Sequence, residues 1–308
     1  MVRSLPEPFA LYVVNVRDGE QMLTIGNVKQ WVRIAGAQHA TVPLLCLHGG
    51  PGGNHWVFER TAGLGLEARR TVIYHEQRGS GRSSPPQTPD TYSMPLLVQD
   101  VEALMDKLEL SSVDLLGYSF GGGLALEVAR ALPARVRRVV AQAPAFALSD
   151  PDIVRSQLGG FLQVAAGDVR TAIQTIIAGP LPAAAQLEQI WETVDTATID
   201  RFLFQRADLA AHNRRLWQES GLNNSGDMAR ALAAQPISDT PAHLNEIQAR
   251  ALVLAGRHDR NVPLSGLEAL AAALPHAQLH IFEDSAHFPD VEETEAYVAA
   301  VLAFLESK

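Results

Sequence analysis

A serine stands at the centre of the segment 117–121, which reads GYSFG. The apolar run at 113–116 before it predicts a buried strand, and residues 124–132 after it have the apolar spacing of a helix. A sharp turn from strand to helix crowds the backbone, so small residues are needed two positions before and after its apex, and glycine occupies both. The apex side chain then projects above the sheet edge where ligands bind in open α/β folds. We interpret Ser119 as a nucleophile; the alternative is a glycine-rich helix start with an idle serine.

A base and an acid should follow this serine along the chain. A serine hydroxyl is a poor nucleophile until a base takes its proton, and at this kind of turn the usual order is Ser, then Asp, then His. Asp259 comes just after a predicted strand at 251–255, and His287 comes just after another at 279–282. Because the ends of parallel strands share one sheet edge, both side chains can converge on Ser119. We predict His287 as the base and Asp259 as the carboxylate that orients it.

Other histidines and acids compete for these roles. His258 is adjacent to Asp259, and neighbours on an extended segment point apart. Asp284 precedes the predicted base on the same loop, where a capping role fits it better. The remaining histidines of the cap and of ordinary elements fit surface or packing roles: His212, His243, His276 and His280.

A glycine loop at 48–52, HGGPG, follows the predicted strand at 42–47. Acyl transfer creates an oxyanion, which two backbone N–H donors must face. One donor belongs to the residue after the nucleophile, Phe120, and we assign the second to Gly50 in this loop. Glycine lets the backbone approach the substrate, and Pro51 stiffens the loop. A tight turn without a catalytic role is the alternative.

The elements that carry these residues alternate between strand and helix, which is typical of a mostly parallel sheet wrapped by helices. Residues 146–244 break the rhythm, with helical patches and no convincing strand. We therefore predict an α/β core of residues 1–145 and 245–308, with 146–244 inserted as a helical cap; an independent domain is the alternative. Further predicted elements are strands at 71–74 and 136–141 and helices at 96–108, 264–274 and 291–305.

The N-terminal region predicts antiparallel pairing. Segments 11–16 and 31–34 alternate or cluster β-branched and aromatic residues, as edge strands do. Asp18–Gly19 supplies the turn chemistry for a hairpin.

Three motifs together are similar to those of the proline iminopeptidase branch of the α/β-hydrolases. The resemblance covers roughly residues 30–145 and 245–305. It implies an α/β-hydrolase fold and a Ser-His-Asp peptidase or amidase that acts on a free N-terminal residue, usually proline, without a cofactor. The motifs are HGGPG at 48–52, YHEQRGSGRS at 74–83 and GYSFGG at 117–122.

The same resemblance assigns roles residue by residue. Ser119, Asp259 and His287 inherit the triad, and Gly50 and Phe120 the oxyanion hole. One departure is Glu76, where the family usually has aspartate; the change keeps the charge and lengthens the arm.

Recognition of a substrate amine is the second departure. The family's aminopeptidases hold the substrate ammonium with cap carboxylates, which a charged amine in a closed pocket requires. Residues 205–208, QRAD, resemble the family's acidic helix only weakly. We single out Asp208 and Glu219 as substrate-binding candidates; the alternative is that they are solvated acids on a helix surface. The other acids of the cap are Glu192, Asp195 and Asp200.

Composition limits the other functions. The chain has 308 residues, 47% of them hydrophobic, and a formal net charge of -9, which argues against nucleic acid as a partner. Cys46 is the only cysteine, so no internal disulfide and no thiolate metal site can form, and we predict no metal and no cofactor. We expect no signal peptide at the N-terminus, because it has no long apolar stretch and meets acidic residues early, and no window approaches the roughly 20 apolar residues that a membrane span needs. We expect a cytoplasmic protein with a small-molecule or short-peptide substrate and no membrane partner; its oligomeric state is open.

Three functions stay in competition. The first is nucleophilic hydrolysis of a small amide or peptide. An esterase or lactonase of the same fold is the second, because a triad does not distinguish amides from esters. A non-catalytic ligand-binding protein on a hydrolase scaffold is the third. Epoxide or haloalkane hydrolysis by a carboxylate is disfavoured, because the turn carries Ser119.

Overall fold

The computed structural model describes residues 16–88, 92–146, 151–222, 224–235 and 240–307. Within these residues, eight strands form a single sheet in the order β1-β2-β4-β3-β5-β6-β7-β8. β1 pairs antiparallel with β2, and β2 with β4; the other neighbouring pairs are parallel. The strands are β1 (Gly19–Ile25), β2 (Val28–Ala35), β3 (Leu44–Leu47), β4 (Val72–His75), β5 (Val113–Tyr118), β6 (Val136–Gln142), β7 (Arg250–Gly256) and β8 (Ala277–Phe282).

The central strands are apolar runs because both faces of the sheet are covered. Every residue of β3, β4 and β5 is buried, as expected for parallel strands with helices on both sides. The register aligns their carboxyl ends: Leu47 of β3 pairs with Gly117 of β5, and Tyr118 of β5 pairs with Gln142 of β6. The loops that leave these strands therefore start side by side at one edge.

Helices cover the two faces of the sheet and fill the interval between β6 and β7. α3 shows how local sequence sets a boundary: Ser93 caps it by accepting a hydrogen bond from the Leu96 N–H at 3.3 Å, and a proline lies in its first turn. The core helices are α1 (Trp56–Arg60), α2 (Ala62–Glu67), α3 (Met94–Lys107), α4 (Phe120–Ala131), α11 (Leu264–Ala273), α12 (Pro289–Glu292) and α13 (Thr294–Glu306), with 3-10 segments at Ala37–His39 and Thr240–Glu246.

The helices between β6 and β7 pack around their own apolar cluster. The rings of Phe161 and Phe202 stack with centroids 4.0 Å apart, and Trp191 meets Phe161 edge-on at 4.9 Å. The boundaries of the cap at 146 and 244 stay predictions. Its helices are α5 (Pro151–Val164), α6 (Gly167–Ile177), α7 (Ala183–Thr193), α8 (Thr196–Leu203), α9 (Ala207–Ser220) and α10 (Asp227–Ala233).

The predicted position of the N-terminal hairpin turn is wrong. Gly19 is the first residue of β1, and the hairpin turn lies at Gly26 and Asn27. Gly26 has φ 58°, a left-handed conformation that glycine adopts without steric cost. The predicted segment 31–34 lies in β2, which pairs antiparallel on both sides and is not an edge strand. Residues 11–15 of the other predicted strand lie outside the described residues, and Val16 is not in a strand.

In the described ranges, the structure contains no helix with the length and hydropathy of a membrane span.

Candidate active site

Ser119 occupies a strained backbone position between β5 and α4. Its φ of 55° and ψ of -123° lie in a region that residues with a Cβ rarely adopt. The backbone around it is tightly packed: a Cβ on Gly117 would lie 2.0 Å from the Gly121 carbonyl oxygen, and a Cβ on Gly121 would lie 2.2 Å from the Leu47 carbonyl oxygen. The glycines thus allow β5, α4 and β3 to meet, and the serine side chain is half-buried at the sheet edge.

Asp259 and His287 are brought together as a buried pair. Nδ1 of His287 lies 2.8 Å from Oδ2 of Asp259, and both residues are buried. The other carboxylate oxygen, Oδ1, accepts hydrogen bonds from the N–H groups of Asn261 at 2.7 Å and Val262 at 3.0 Å. Burial lowers the pKa of the His287 imidazole, but the Asp259 carboxylate, together with a smaller contribution from Asp290, outweighs burial and holds that pKa above its ordinary value.

Gln142, at the carboxyl end of β6, connects the serine to the histidine loop. Its backbone oxygen accepts a hydrogen bond from the Ser119 N–H at 2.8 Å. Its side-chain Nε2 donates to the His287 carbonyl at 3.3 Å and to Oδ1 of Asp290 at 2.8 Å. One residue therefore fixes the backbones that carry Ser119 and His287 relative to each other.

The remaining ring nitrogen of His287 is engaged by an amide. Within the described residues, the His287 side chain hydrogen-bonds to Asp259 and Asn261 and not to Ser119. Asn261 Nδ2 donates to Nε2 at 3.1 Å. Because Nε2 accepts this bond, the imidazole proton lies on Nδ1, facing Asp259. This is the neutral tautomer that a general base requires.

The glycine loop lies against the serine. A Cβ on Gly49 would lie 3.1 Å from the Ser119 Cβ, and Gly50 has φ 131° with no room for a side chain. His48 supports the loop: Nδ1 donates to the Gly49 carbonyl at 2.8 Å, and Nε2 accepts from the Gln77 N–H at 3.1 Å. Burial lowers the pKa of His48, so this histidine is neutral and structural. The other predicted oxyanion residue, Phe120, is the first residue of α4, where backbone N–H groups lack helical partners.

Glu76, the departure from the family motif, is fully buried just after β4. Its carboxylate accepts hydrogen bonds from the His55 N–H at 3.2 Å and from the guanidinium of Arg82. Arg82 in turn lies over the Trp31 ring, 3.2 Å from its centroid. The longer acid therefore ties the start of α1 to the loop after β4.

The two acids predicted to bind substrate lie at the surface of the cap helix α9. The Asp208 side chain is 65% exposed and pairs with Arg206, Nη2 to Oδ2 at 2.7 Å. This contact lowers the pKa of Asp208. Glu219 is also exposed. The structure gives neither carboxylate a contact with Ser119 or His287.

The histidine loop is tied to the cap through the backbone. The His287 N–H donates to the Leu203 carbonyl at 3.0 Å, at the end of α8. Glu292 spans the junction: Oε2 accepts from the Ala286 N–H and Oε1 from the Gln205 N–H, both at 2.7 Å. The position of the base is therefore coupled to the position of the cap.

A second contact joins the cap to the glycine loop. Asn224 Nδ2 donates to the Pro51 carbonyl at 2.9 Å, and its Oδ1 accepts from the Gly226 N–H at 2.9 Å.

Sequence reasoning missed four polar residues of this site: Gln142, Asn261, Asp290 and Glu292. Gln142 ends the strand next to the serine turn and Asn261 is two residues after Asp259, so their positions were a usable signal. The buried Asp290 and Glu292 had none, because acids on a short helix are usually exposed.

The fold and this arrangement define the class of protein. A sequence profile of the alpha/beta hydrolase fold matches residues 42–294, so the chain belongs to the α/β-hydrolase family. The prediction of the fold class is confirmed, and so is the prediction of an enzyme of the hydrolase class, because the relatives are hydrolases.

Among the relatives, the chain is similar to the proline iminopeptidase of Levilactobacillus brevis, with 28% identity over 93% of this chain and 96% of that protein. It is 30% identical to the 2-hydroxymuconate semialdehyde hydrolase of Pseudomonas putida, over 77% of each chain. A proline iminopeptidase-related protein from Thermus thermophilus has a similar structure, with TM-score 0.75, 24% identity and coverage of 93% and 96%. An enol-lactonase from Burkholderia xenovorans superposes with TM-score 0.68, 19% identity and coverage of 93% and 100%. The resemblance to the proline iminopeptidase branch is confirmed.

Backbone strain at Ser119 gives a stability prediction. Ser119→Gly and Ser119→Ala both remove the hydroxyl, but only glycine relieves the strain at φ 55°. Strain of roughly 1–3 kcal/mol, partly offset by the greater chain entropy of glycine, makes Ser119→Gly more stable than Ser119→Ala by about 1 kcal/mol. Urea unfolding of the two variants measures the difference, and equal stability would show that the turn is unstrained.

The buried carboxyl of Asp290 gives a pH prediction. Burial raises its pKa from 3.8 to about 6, so the folded state keeps the proton to higher pH than the unfolded chain. The associated stability is present at low pH and is lost as pH rises towards 6. Asp290→Asn cannot ionise, so its free energy of unfolding relative to wild type should increase by roughly 2 kcal/mol from about pH 4.5 to about pH 8.

Urea titrations at both pH values measure this difference. Asp168→Asn, an exposed acid on α6, is the matched control and should change by less than about 0.5 kcal/mol. A pH-independent effect of Asp290→Asn would contradict the assignment of a raised pKa.

Proposed function

We propose that the protein is a serine hydrolase with Ser119 as nucleophile, His287 as base and Asp259 as the orienting acid. The observation that carries this proposal is the buried 2.8 Å hydrogen bond between His287 and Asp259, on a loop that Gln142 ties to the Ser119 backbone. An imidazole that carries its proton on Nδ1, facing Asp259, leaves Nε2 able to take a proton from a hydroxyl.

The chemistry then proceeds in two halves. His287 Nε2 takes the Ser119 proton, Oγ attacks the substrate carbonyl, and the leaving group departs with the proton from Nε2. A water activated by the same nitrogen hydrolyses the acyl-enzyme. Asp259 stabilises the imidazolium that forms in each half, and its effect on the pKa of His287 has the sign this role needs.

The oxyanion formed on attack would be held by the N–H groups of Gly50 and Phe120. Each such donor typically contributes roughly 3 kcal/mol to lowering the barrier. The packing of Gly49 against Ser119 supports this role, since it keeps the glycine loop within reach of the attacked carbonyl. No cofactor is required.

For the substrate, we propose first a small amide or peptide with a free N-terminal residue, as in a proline iminopeptidase. The three sequence motifs and the relatives named above support it. The helices at 146–244 would act as the cap that encloses this substrate and excludes water.

An ester or lactone is the second candidate, and one observation favours it. Asp208 and Glu219, the acids predicted to hold an ammonium group, are exposed, and Asp208 already pairs with Arg206. An uncharged ester or lactone needs no such partner. The enol-lactonase neighbour is compatible with this candidate at the level of the fold.

The catalytic assignment predicts covalent labelling by a fluorophosphonate probe. Wild type should be labelled, Ser119→Ala should not, and His287→Ala and Asp259→Asn should be labelled at least 100-fold more slowly, because the hydroxyl loses its base or the base its orientation. Gel fluorescence or intact mass measures the rate.

The competing residues of the same loops serve as matched controls. His258→Ala and Asp284→Asn replace exposed side chains and should be labelled at the wild-type rate. Equal labelling of wild type and Ser119→Ala would refute the assignment of the nucleophile.

The substrate assignment predicts turnover of prolyl or alanyl arylamides, and much slower turnover of the same compounds after N-acetylation. Asp208→Asn and Glu219→Gln should leave kcat/KM within about twofold, because both acids are exposed. Release of the arylamine measures the rate. Turnover of short-chain aryl esters without any arylamide turnover would select the second candidate.

A further inference from the structure

Asp259, His287 and Asn261 form a closed ring of hydrogen bonds. Oδ2 of Asp259 faces Nδ1 of His287 at 2.8 Å, and Oδ1 accepts from the Asn261 backbone N–H at 2.7 Å. The Asn261 side-chain amide in turn donates through Nδ2 to Nε2 of His287 at 3.1 Å. The same carboxylate therefore orients the imidazole and the residue that contacts its far nitrogen.

Nε2 is the atom through which the proposed reaction passes its proton. Both the Ser119 hydroxyl and the leaving group must reach it, so a side chain that already hydrogen-bonds there lies at the reacting atoms. An amide N–H can only donate, and a donor binds an imidazole nitrogen only when that nitrogen carries no proton. The contact thus selects the neutral imidazole with its proton on Nδ1.

We propose that Asn261 is a further catalytic residue of this site, whose amide holds His287 in its neutral, proton-accepting form until substrate engages Nε2. This inference rests on the proposed function. Under this proposal Asn261 opposes protonation of His287, whereas Asp259 favours it.

The charges around His287 make such an opposing contact useful. The carboxylates of Asp259 and Asp290 both favour the imidazolium. The Arg260 guanidinium is directed to the His258 carbonyl and to Gln163 rather than to the ring. Glu292 accepts hydrogen bonds from backbone N–H groups where the histidine loop meets the cap. With two carboxylates favouring the imidazolium, the Asn261 amide is the contact in this ring that favours the uncharged imidazole.

The test is the pH dependence of the second-order labelling rate with the fluorophosphonate. Its acid limb reports protonation of the base in the free enzyme. Asn261→Leu removes the donor and should raise the apparent pKa of this limb by roughly 0.5–1 unit. Asn261→Asp is nearly isosteric and places a carboxylate at Nε2, so it should raise that pKa by more than about one unit.

Asn245→Leu is the matched control, since Asn245 is exposed and precedes β7 at the opposite edge of the sheet. It should leave the acid limb unchanged. An unchanged or lowered apparent pKa in Asn261→Leu and Asn261→Asp overturns the role of Asn261, including the case in which the rate falls equally at every pH. Absence of labelling in wild type is a different result, because it refutes the proposed function itself.

Discussion

Close backbone contact on both sides of Ser119 is the constraint on which the site depends. Gly117 and Gly121 have no room for a Cβ, because carbonyl oxygens of α4 and β3 lie within about 2 Å of where it would be. This contact brings the end of β3 next to the start of α4, and the glycine loop that follows Leu47 is thereby set against the serine. The strained backbone of Ser119 is maintained by that packing rather than by its own preference.

Near this packed turn, the structure buries two acids whose carboxylates have hydrogen-bond partners. The Asp259 carboxylate is buried but accepts three hydrogen bonds, two of them from backbone N–H groups. The Asp290 side chain accepts a hydrogen bond from Gln142, and burial raises its pKa. The two acids near His287 therefore have different partners: Asp259 is held by backbone N–H groups and the imidazole, and Asp290 by the Gln142 amide.

The sequence predicted the features that depend on local pattern. Apolar runs located strands β3 to β8, and the order of Ser, Asp and His located Asp259 and His287 at strand ends. The position of Gln142 at the end of a strand was a usable signal, but its role follows from the β5–β6 register, which sets its carbonyl opposite Ser119. The sequence could not give the direction of Asn261, which depends on a side-chain rotamer. Asp18–Gly19 gave the wrong position for the hairpin turn because Gly26 offered an equally permissive turn. The exposure of Asp208 could not be predicted because it depends on how the cap helices pack.

The coupling of base and cap bears on how a substrate would be selected. His287 and Ala286 donate backbone hydrogen bonds to Leu203 and Glu292, so a shift of the end of α8 would move the imidazole as well. At the same junction, the Phe204 and Phe288 rings stack with centroids 5.0 Å apart, and the Phe288 ring meets the His287 ring edge-on at 5.0 Å. The carboxylates here are already engaged: Asp259 by the imidazole and Glu292 by backbone N–H groups. An ammonium group would therefore compete with contacts that position the base, whereas an apolar acyl group would pack without disturbing them. This difference is the physical argument for keeping an ester or lactone as the second candidate substrate.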